Sequence, residues 1–213
     1  MRTGPELAEL LHRRGIGDER VLAAIAAVPR ELFVPAELRP RAYDDRALPI
    51  GHGQTISQPF MVATICAALE LGPDARVLDV GTGSGYQAAV LAEIAAEVVT
   101  IERVPELADR ARETLARAGY DRVEVRVGDG TLGVPERAPF DGIAVAAAAP
   151  AVPETLYDQL AVGGRIAVPV GSLRDQWLEV VARGAEGPKV VRSVPCRFVP
   201  LVGAAGFDES HAG

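Results

Sequence analysis

At 213 residues the chain is long enough to bury a core but short for two independent domains, so one domain over 1–213 is expected. Hydrophobic residues make up 48% and charged residues 24%, a balance that excludes a disordered chain. The net charge of −7 excludes a general polyanion binder, because nucleic-acid affinity rests on Lys and Arg at phosphates, and no nucleic-acid partner is expected.

The opening MRTGPELAELLHRRG contains acids and no continuous apolar core, so it does not read as a secretory signal. The longest apolar stretch, GIAVAAAAPAVP, is short and interrupted by proline, and no membrane span is expected. These features point to a cytoplasmic protein. Cys66 and Cys196 lack paired-ligand spacing and read as reduced, buried thiols; His12, His52 and His211 are scattered, and no metal site is expected.

Two amphipathic segments come first, PELAELLHRR and DERVLAAIAAV, the second with Asp18 placed as its N-cap. The stretch FVPAELRPRAYDDRALPIGHGQ has neither the helical nor the strand period and reads as a long irregular connection, the kind of loop that often carries function. Within it Asp44, Asp45 and Arg46 read as a solvated charge cluster and His52 as a loop residue. SQPFMVATICAALEL then has helical spacing, with Ser57 as its N-cap and Pro59 in the first turn.

From Arg76 the apolar runs RVLDVG, EVVTIE, VEVRVGDG, DGIAVAA and RIAVPVG alternate with the helical segments YQAAVLAEIA, VPELADRARETLARAG and PETLYDQLA. That rhythm predicts an α/β fold with a doubly wound, mostly parallel sheet, and Gly163 and Gly164 read as a helix-to-strand turn. WLEVVAR and KVVRSVPCRFVPLVG, joined by GAEGP, predict an antiparallel hairpin at the sheet edge.

In such a sheet, ligands sit outside the carboxyl ends of the strands. DVGTGSGY, Asp79 to Tyr86, lies where the first strand hands over to a helix, and Gly81, Gly83 and Gly85 let the backbone turn tightly and approach a ligand. The dinucleotide fingerprint would need a further glycine where Tyr86 stands. The spacing G-x-G-x-G suits a turn that holds the amino-acid end of S-adenosylmethionine. Glu102 ends the next strand, where a carboxylate accepts from ribose hydroxyls, and Asp129 with Gly130 ends the third, near the adenine. The glycines alone would also serve a plain sharp turn, but three motifs at successive strand ends favour an S-adenosylmethionine-dependent, Rossmann-like methyltransferase. The cofactor set is therefore Asp79, Gly81, Thr82, Gly83, Ser84, Gly85, Glu102, Asp129 and Gly130, with Tyr86 packed against the turn.

RGIGDERVLAAIAAVPRELFVP, AYDDRALPIGHGQTISQPFMVA, VLDVGTGSGYQAAVLA and CRFVPLVG together closely resemble protein-L-isoaspartate O-methyltransferases, over nearly the whole chain from about Gly15 to Gly203. One departure is Val145-Ala146-Ala147-Ala148, where the family commonly has Val-Thr-Ala-Ala. The resemblance implies methylation of the α-carboxylate of L-isoaspartyl residues in damaged proteins and peptides, followed by spontaneous closure to succinimide. It places Ser57 at the family's active-site serine, orienting the substrate carboxylate, with Ile56 and Gln58 beside it as substrate-binding residues; a capping role for Ser57 is compatible. A carboxylate methyltransferase of a biosynthetic peptide, or a non-catalytic relative, would share much of this pattern. Residues 1–75 are expected to form the helical and substrate-loop region, 76–171 the cofactor-binding core, 172–203 the C-terminal strands and 204–213 a flexible tail, in a chain acting as a monomer.

Overall fold

The computed structural model describes residues 3–208 and 210, without the side chains of Arg192 and Ser193. His211, one of the histidines weighed as a metal ligand, lies outside the described residues. Two amphipathic helices open the fold, α1 (Gly4–Arg13) and α2 (Glu19–Ala27). Asp18 caps α2 as expected, its carboxylate accepting from the backbone N–H of Arg20 and Val21 at 3.0 and 3.2 Å.

The proline-rich connection is more ordered than its composition suggests. Two 3-10 stretches, Arg30–Phe33 and Ala36–Arg41, lead into a hairpin of β1 (Leu48–Gly51) and β2 (Gln54–Ile56). Pro40 inside the second stretch has no N–H to give an α-helical ladder, which keeps the turns short. The hairpin reverses through Gly51, His52 and Gly53, with φ of +90, +53 and +69°. His52 is thus a turn residue, in a left-handed conformation that non-glycine residues seldom adopt.

The helix α3 (Pro59–Ala68) corrects two expectations. Its N-cap is Gln58 rather than Ser57, and no side chain at that position caps it. The N–H of Phe60 in the first turn is taken by Asp45 Oδ1 at 2.9 Å. Asp45 is therefore not part of a solvated cluster. Its side chain is only 9% exposed and pairs with Arg14, whose guanidinium lies 4.0 Å from the centroid of the Phe60 ring. A full negative charge suits a helix N-terminus better than a serine hydroxyl does, and it is delivered from fifteen residues upstream.

The central sheet has seven strands: β3 (Arg76–Val80), β4 (Glu97–Glu102), β5 (Glu124–Val127), β6 (Phe140–Val145), β7 (Leu160–Gly171), β8 (Gln176–Gly184) and β9 (Gly187–Cys196). Their order is β5-β4-β3-β6-β7-β8-β9. Strands β3 to β7 pair in parallel, while β8 and β9 run antiparallel. The connecting helices are α4 (Tyr86–Ile94), α5 (Pro105–Arg117) and α6 (Glu154–Tyr157). This is the doubly wound, mostly parallel sheet with N-terminal helices and a C-terminal antiparallel hairpin that the alternation predicts. Successive strand residues feed opposite faces: Val77 and Val98 join the core with α1 to α4, whereas Leu78, Val80 and Val99 join the core on the other side.

Three further differences are local. The predicted helix PETLYDQLA shrinks to one turn, because Gln159 leaves it and ties its side chain to the Val134 N–H and the carbonyls of Leu132 and Thr155. Gly163 and Gly164 lie within β7 rather than before it. Leu160 pairs with Phe140 and Arg165 with Gly142, so 161–164 bulge between them, with Gly163 at φ +88°. Cys66 is a buried thiol, but Cys196 is half-exposed.

Of the segment 204–213 expected to be a flexible tail, 204–207 are held to the fold, while 209 and 211–213 lie outside the described residues. Asp129 accepts from the Ala204 N–H at 2.8 Å, the Thr131 hydroxyl accepts from Ala205, and Phe207 donates to the Leu201 carbonyl. Upstream, the buried Gln176 side chain binds both backbone groups of Phe198. Among the described residues no helix is long and apolar enough to cross a membrane.

Replacing Asp45 with alanine should lower unfolding free energy by about 2 kcal/mol, since it removes a charged helix cap and strands Arg14. Ser57→Ala, which loses no cap, should cost less than about 0.5 kcal/mol. Urea denaturation of both variants checks this, and equal losses would restore Ser57 as the cap.

Candidate active site

The strand order reverses between β3 and β6, and the crevice at that switch point opens at the carboxyl ends of β3, β4 and β6. Its floor is the turn from Gly81 to Gly85. Gly81, Gly83 and Gly85 have φ of +92, +52 and +90°, a backbone path that side-chain-bearing residues rarely follow. At Gly85 a Cβ would also press on Leu115 at 3.1 Å. The turn is stitched to the next strand, with the N–H groups of Gly81 and Thr82 donating to the Ile101 carbonyl and Thr82 Oγ1 lying 2.7 Å from Thr100 Oγ1.

Gly81, Thr82, Gly83, Ser84, Glu102 and Gly130 all line this crevice, so the structure brings together most of the expected cofactor set. Glu102 is nearly buried, and its carboxylate accepts from the N–H of Gly83 at 2.9 Å and of Val104 at 3.0 Å. It thereby joins β4 to the glycine turn, a contact the sequence does not announce. Each oxygen retains further acceptor capacity.

Three expected residues are not on the crevice wall: Gly85, which closes the turn behind it, and two carboxylates. Asp79 is fully buried beneath the turn, accepting from Gln87 Nε2 and the Thr100 hydroxyl, both at 2.8 Å. Burial pushes its carboxyl up to about 6; those two hydrogen bonds oppose the rise and the nearby charge of Glu102 adds to it. Asp129 has its carboxylate occupied by the N–H and hydroxyl of Thr131 and the N–H of Ala204. Burial acts to raise its pKa, but these bonds and the charge of Arg103 hold it below the ordinary carboxylate range. Its neighbour Gly130 does line the crevice.

A second cleft adjoins the first. It is bounded by Arg14, Thr55, Gln58, Phe60 and Met61 on one side and by Pro195 to Val199 on the other. Ser57 lies on the wall of both clefts, as do Thr55, Ala146 and Val199. Of the expected substrate residues, Ile56 is almost fully buried but lines the first crevice, Ser57 stands at the junction, and Gln58 faces the second cleft with its amide donating to the Asp45 carbonyl at 3.1 Å. The second cleft is lined by two arginines, Arg14 and Arg197, and by no acidic side chain.

The β1–β2 hairpin overhangs the glycine turn. Arg110 of α5 donates to the Ile50 carbonyl at 2.8 Å, and the Ile50 side chain sits 3.5 Å from where a Gly83 Cβ would be. Tyr86 packs as expected, fully buried with its ring edge-on to Phe33 at 5.7 Å, and burial pushes its hydroxyl up to about 12. Ala146 and Ala147 hold the place of the departure noted after β6, both on the crevice wall. Sequence reasoning missed Arg14, Arg30 and Asp45, whose partners lie far along the chain. Among the described residues no group of three His, Cys, Asp or Glu is placed to hold a metal ion.

The raised pKa of Asp79 has a definite sign. Between about pH 4 and pH 6 the folded protein holds a proton that the unfolded chain has released, so this contribution to stability is complete below that window and lost above it. Asp79→Asn mimics the protonated acid. Its stability relative to wild type should rise by on the order of 2 kcal/mol between pH 4 and pH 7, read by denaturant unfolding at both values. A difference independent of pH would mean that Asp79 titrates normally.

Comparison with known proteins agrees with this geometry. Residues 3–206 match the family model described as Protein-L-isoaspartate(D-aspartate) O-methyltransferase (PCMT). Curated relatives include a protein-L-isoaspartate O-methyltransferase of Methanoculleus marisnigri, 55% identical over 92% of this chain and 90% of that one. Another is from Gloeobacter violaceus, 55% identical over 91% of this chain and 95% of that one. Among solved structures, a protein-L-isoaspartate O-methyltransferase superposes with a TM-score of 0.84 at 30% identity, covering 94% of this chain and 66% of that one. A Plasmodium falciparum beta-aspartate methyltransferase (PCMT), solved in complex with S-adenosyl-L-homocysteine, gives 0.78 at 27% identity, covering 93% and 98%. The chain belongs to the protein-L-isoaspartate(D-aspartate) O-methyltransferase family.

Proposed function

We propose that the chain transfers a methyl group from S-adenosylmethionine to the α-carboxylate of L-isoaspartyl residues in damaged proteins and peptides. The observation that carries this reading is the position of Ser57, on the shared wall of a cofactor-type crevice and a second cleft lined by arginines. A methyl transferase needs its two substrates to meet at one point, and this is where the two clefts join.

The crevice fits the cofactor on its own features. The positive-φ glycines keep side chains out of the floor, and Glu102 presents spare acceptor sites where ribose hydroxyls would donate. S-adenosylmethionine, when bound, supplies a methyl group already activated by its sulfonium. The chain itself has little bond-breaking to assist. A substrate α-carboxylate has an ordinary pKa of about 3.5 and is ionised at neutral pH, so no general base is required. Ser57 donates its hydroxyl to one carboxylate oxygen and leaves the other free for methylation. Orientation and partial exclusion of water then account for the rate. The following backbone nitrogen then attacks the ester carbonyl and expels methanol, a better leaving group than the oxygen of an ionised acid, so the peptide closes to succinimide without further help.

An isoaspartyl residue carries its α-carboxylate as a branch displaced from the main chain, and a cleft shaped around that branch excludes ordinary aspartate. The chain is taken to act in the cytoplasm as a single-domain monomer on protein and peptide substrates.

The direct test incubates the protein with labelled S-adenosylmethionine and matched isoaspartyl, aspartyl and D-aspartyl peptides. Methylation should favour the isoaspartyl peptide by up to ~10⁴-fold over the aspartyl isomer, with methanol released as the ester recyclises. Equal methylation of both isomers, or activity confined to one biosynthetic precursor peptide, would move the assignment to a peptide-tailoring enzyme. For the cofactor, Glu102→Ala should weaken S-adenosylhomocysteine binding by about 1–3 kcal/mol in calorimetry. Unchanged affinity in a folded variant would remove Glu102 from the site.

A further inference from the structure

Arg30 is fully buried, yet among the described residues it forms no ion pair. Burying a guanidinium without a counter-ion costs free energy that an apolar side chain at the same place would not, so its neighbours indicate what it does. Nε donates to the Ala42 carbonyl at 2.8 Å and Nη2 donates to the Ser57 carbonyl at 2.8 Å. The guanidinium carbon lies 4.4 Å from the centroid of the Tyr86 ring. Nη1 is buried with no acceptor.

These contacts reach three separate parts of the site. Ala42 follows the second 3-10 stretch, before the hairpin; Ser57 marks the junction of the two clefts; Tyr86 opens α4 directly after the glycine turn. One planar cation therefore spans the substrate segment and the cofactor turn. We propose that Arg30 is a positioning residue for methyl transfer: its guanidinium fixes the Ser57 backbone between the two clefts and sets a positive charge behind the carboxylate's seat.

The proposal rests on the reading of Ser57 as the group that holds the substrate carboxylate. The planar fork of arginine binds two carbonyls at once, and although burial lowers its pKa it starts from a far higher value than lysine. A lysine retains the charge but is a single-point donor, and a glutamine retains a donor without the charge. A fixed cation one peptide unit from Ser57 favours an anion in front of it, and its unmatched charge is then balanced when the substrate arrives.

The test compares Arg30→Lys and Arg30→Gln in the full chain by thermal unfolding, S-adenosylhomocysteine calorimetry and steady-state kinetics with an isoaspartyl peptide. Both variants should melt cooperatively and bind S-adenosylhomocysteine within about threefold of wild type, while kcat/KM falls roughly 10- to 100-fold, chiefly through KM, with Arg30→Gln the worse. In a Ser57→Ala background the same Arg30→Lys change should cost less than about threefold more, because the group it positions is already gone. Equal losses in both backgrounds, unchanged kcat/KM in a folded Arg30→Lys protein, or loss of the folded state in both variants would make Arg30 a core brace and overturn the proposal alone. Wild-type kinetics for Ser57→Ala by itself would overturn the role of Ser57 and the proposal with it.

Discussion

The hydrogen bond from the Gly83 N–H to Glu102 is the constraint around which the site is arranged. A glycine turn at the end of one strand has many possible paths, since each glycine gives up more conformational freedom than any other residue on folding. Here the turn is held to the end of the neighbouring strand by the Glu102 carboxylate and by the Ile101 carbonyl. The cradle is thus a property of two adjacent parallel strands, β3 and β4, rather than of the GTGSG segment alone. The buried pair of Thr100 and Asp79 underpins the same joint from below.

The second half of the site is hung on this joint by long side chains. Arg110 pins the hairpin above the turn, Arg30 holds Ser57, and Asp45 with Arg14 fixes the start of α3 directly after Ser57 and Gln58. All three basic groups reach backbone carbonyls or a carboxylate over distances that a shorter side chain would not span. A loop rich in proline and glycine becomes a shaped surface because its polar backbone is satisfied from outside.

How much of this was readable beforehand follows the range of the interactions. The parallel strands and their helices were legible, because alternation and helical period are local signals, and so was the Asp18 cap, two residues from its partner. The glycine turn and Glu102 were legible as lining of a crevice because they stand at strand ends. Asp79 and Asp129 occupy equally suggestive places, yet their oxygens are consumed by Gln87, Thr100, Thr131 and Ala204. A carboxylate's position along a strand does not reveal which neighbours will claim it. Asp45 and Arg30 were hidden for a related reason: fifteen residues separate Asp45 from Phe60 and twenty-seven separate Arg30 from Ser57, and no periodicity records such pairs. Ser57 resembled a helix cap because serine is a good one, but a charged competitor had the better geometry.

The attachment of the C-terminal segment divides the site by mechanical strength. The stretch Val199 to Val202, which walls the first crevice, follows the edge strand β9 and is anchored by Gln176 on one side and Asp129 on the other. The glycine turn instead sits between interior strands. Sheet edges open locally at a fraction of the free energy of global unfolding. A local opening at that edge would loosen the Val199 wall that the two clefts share and leave the glycine turn in place.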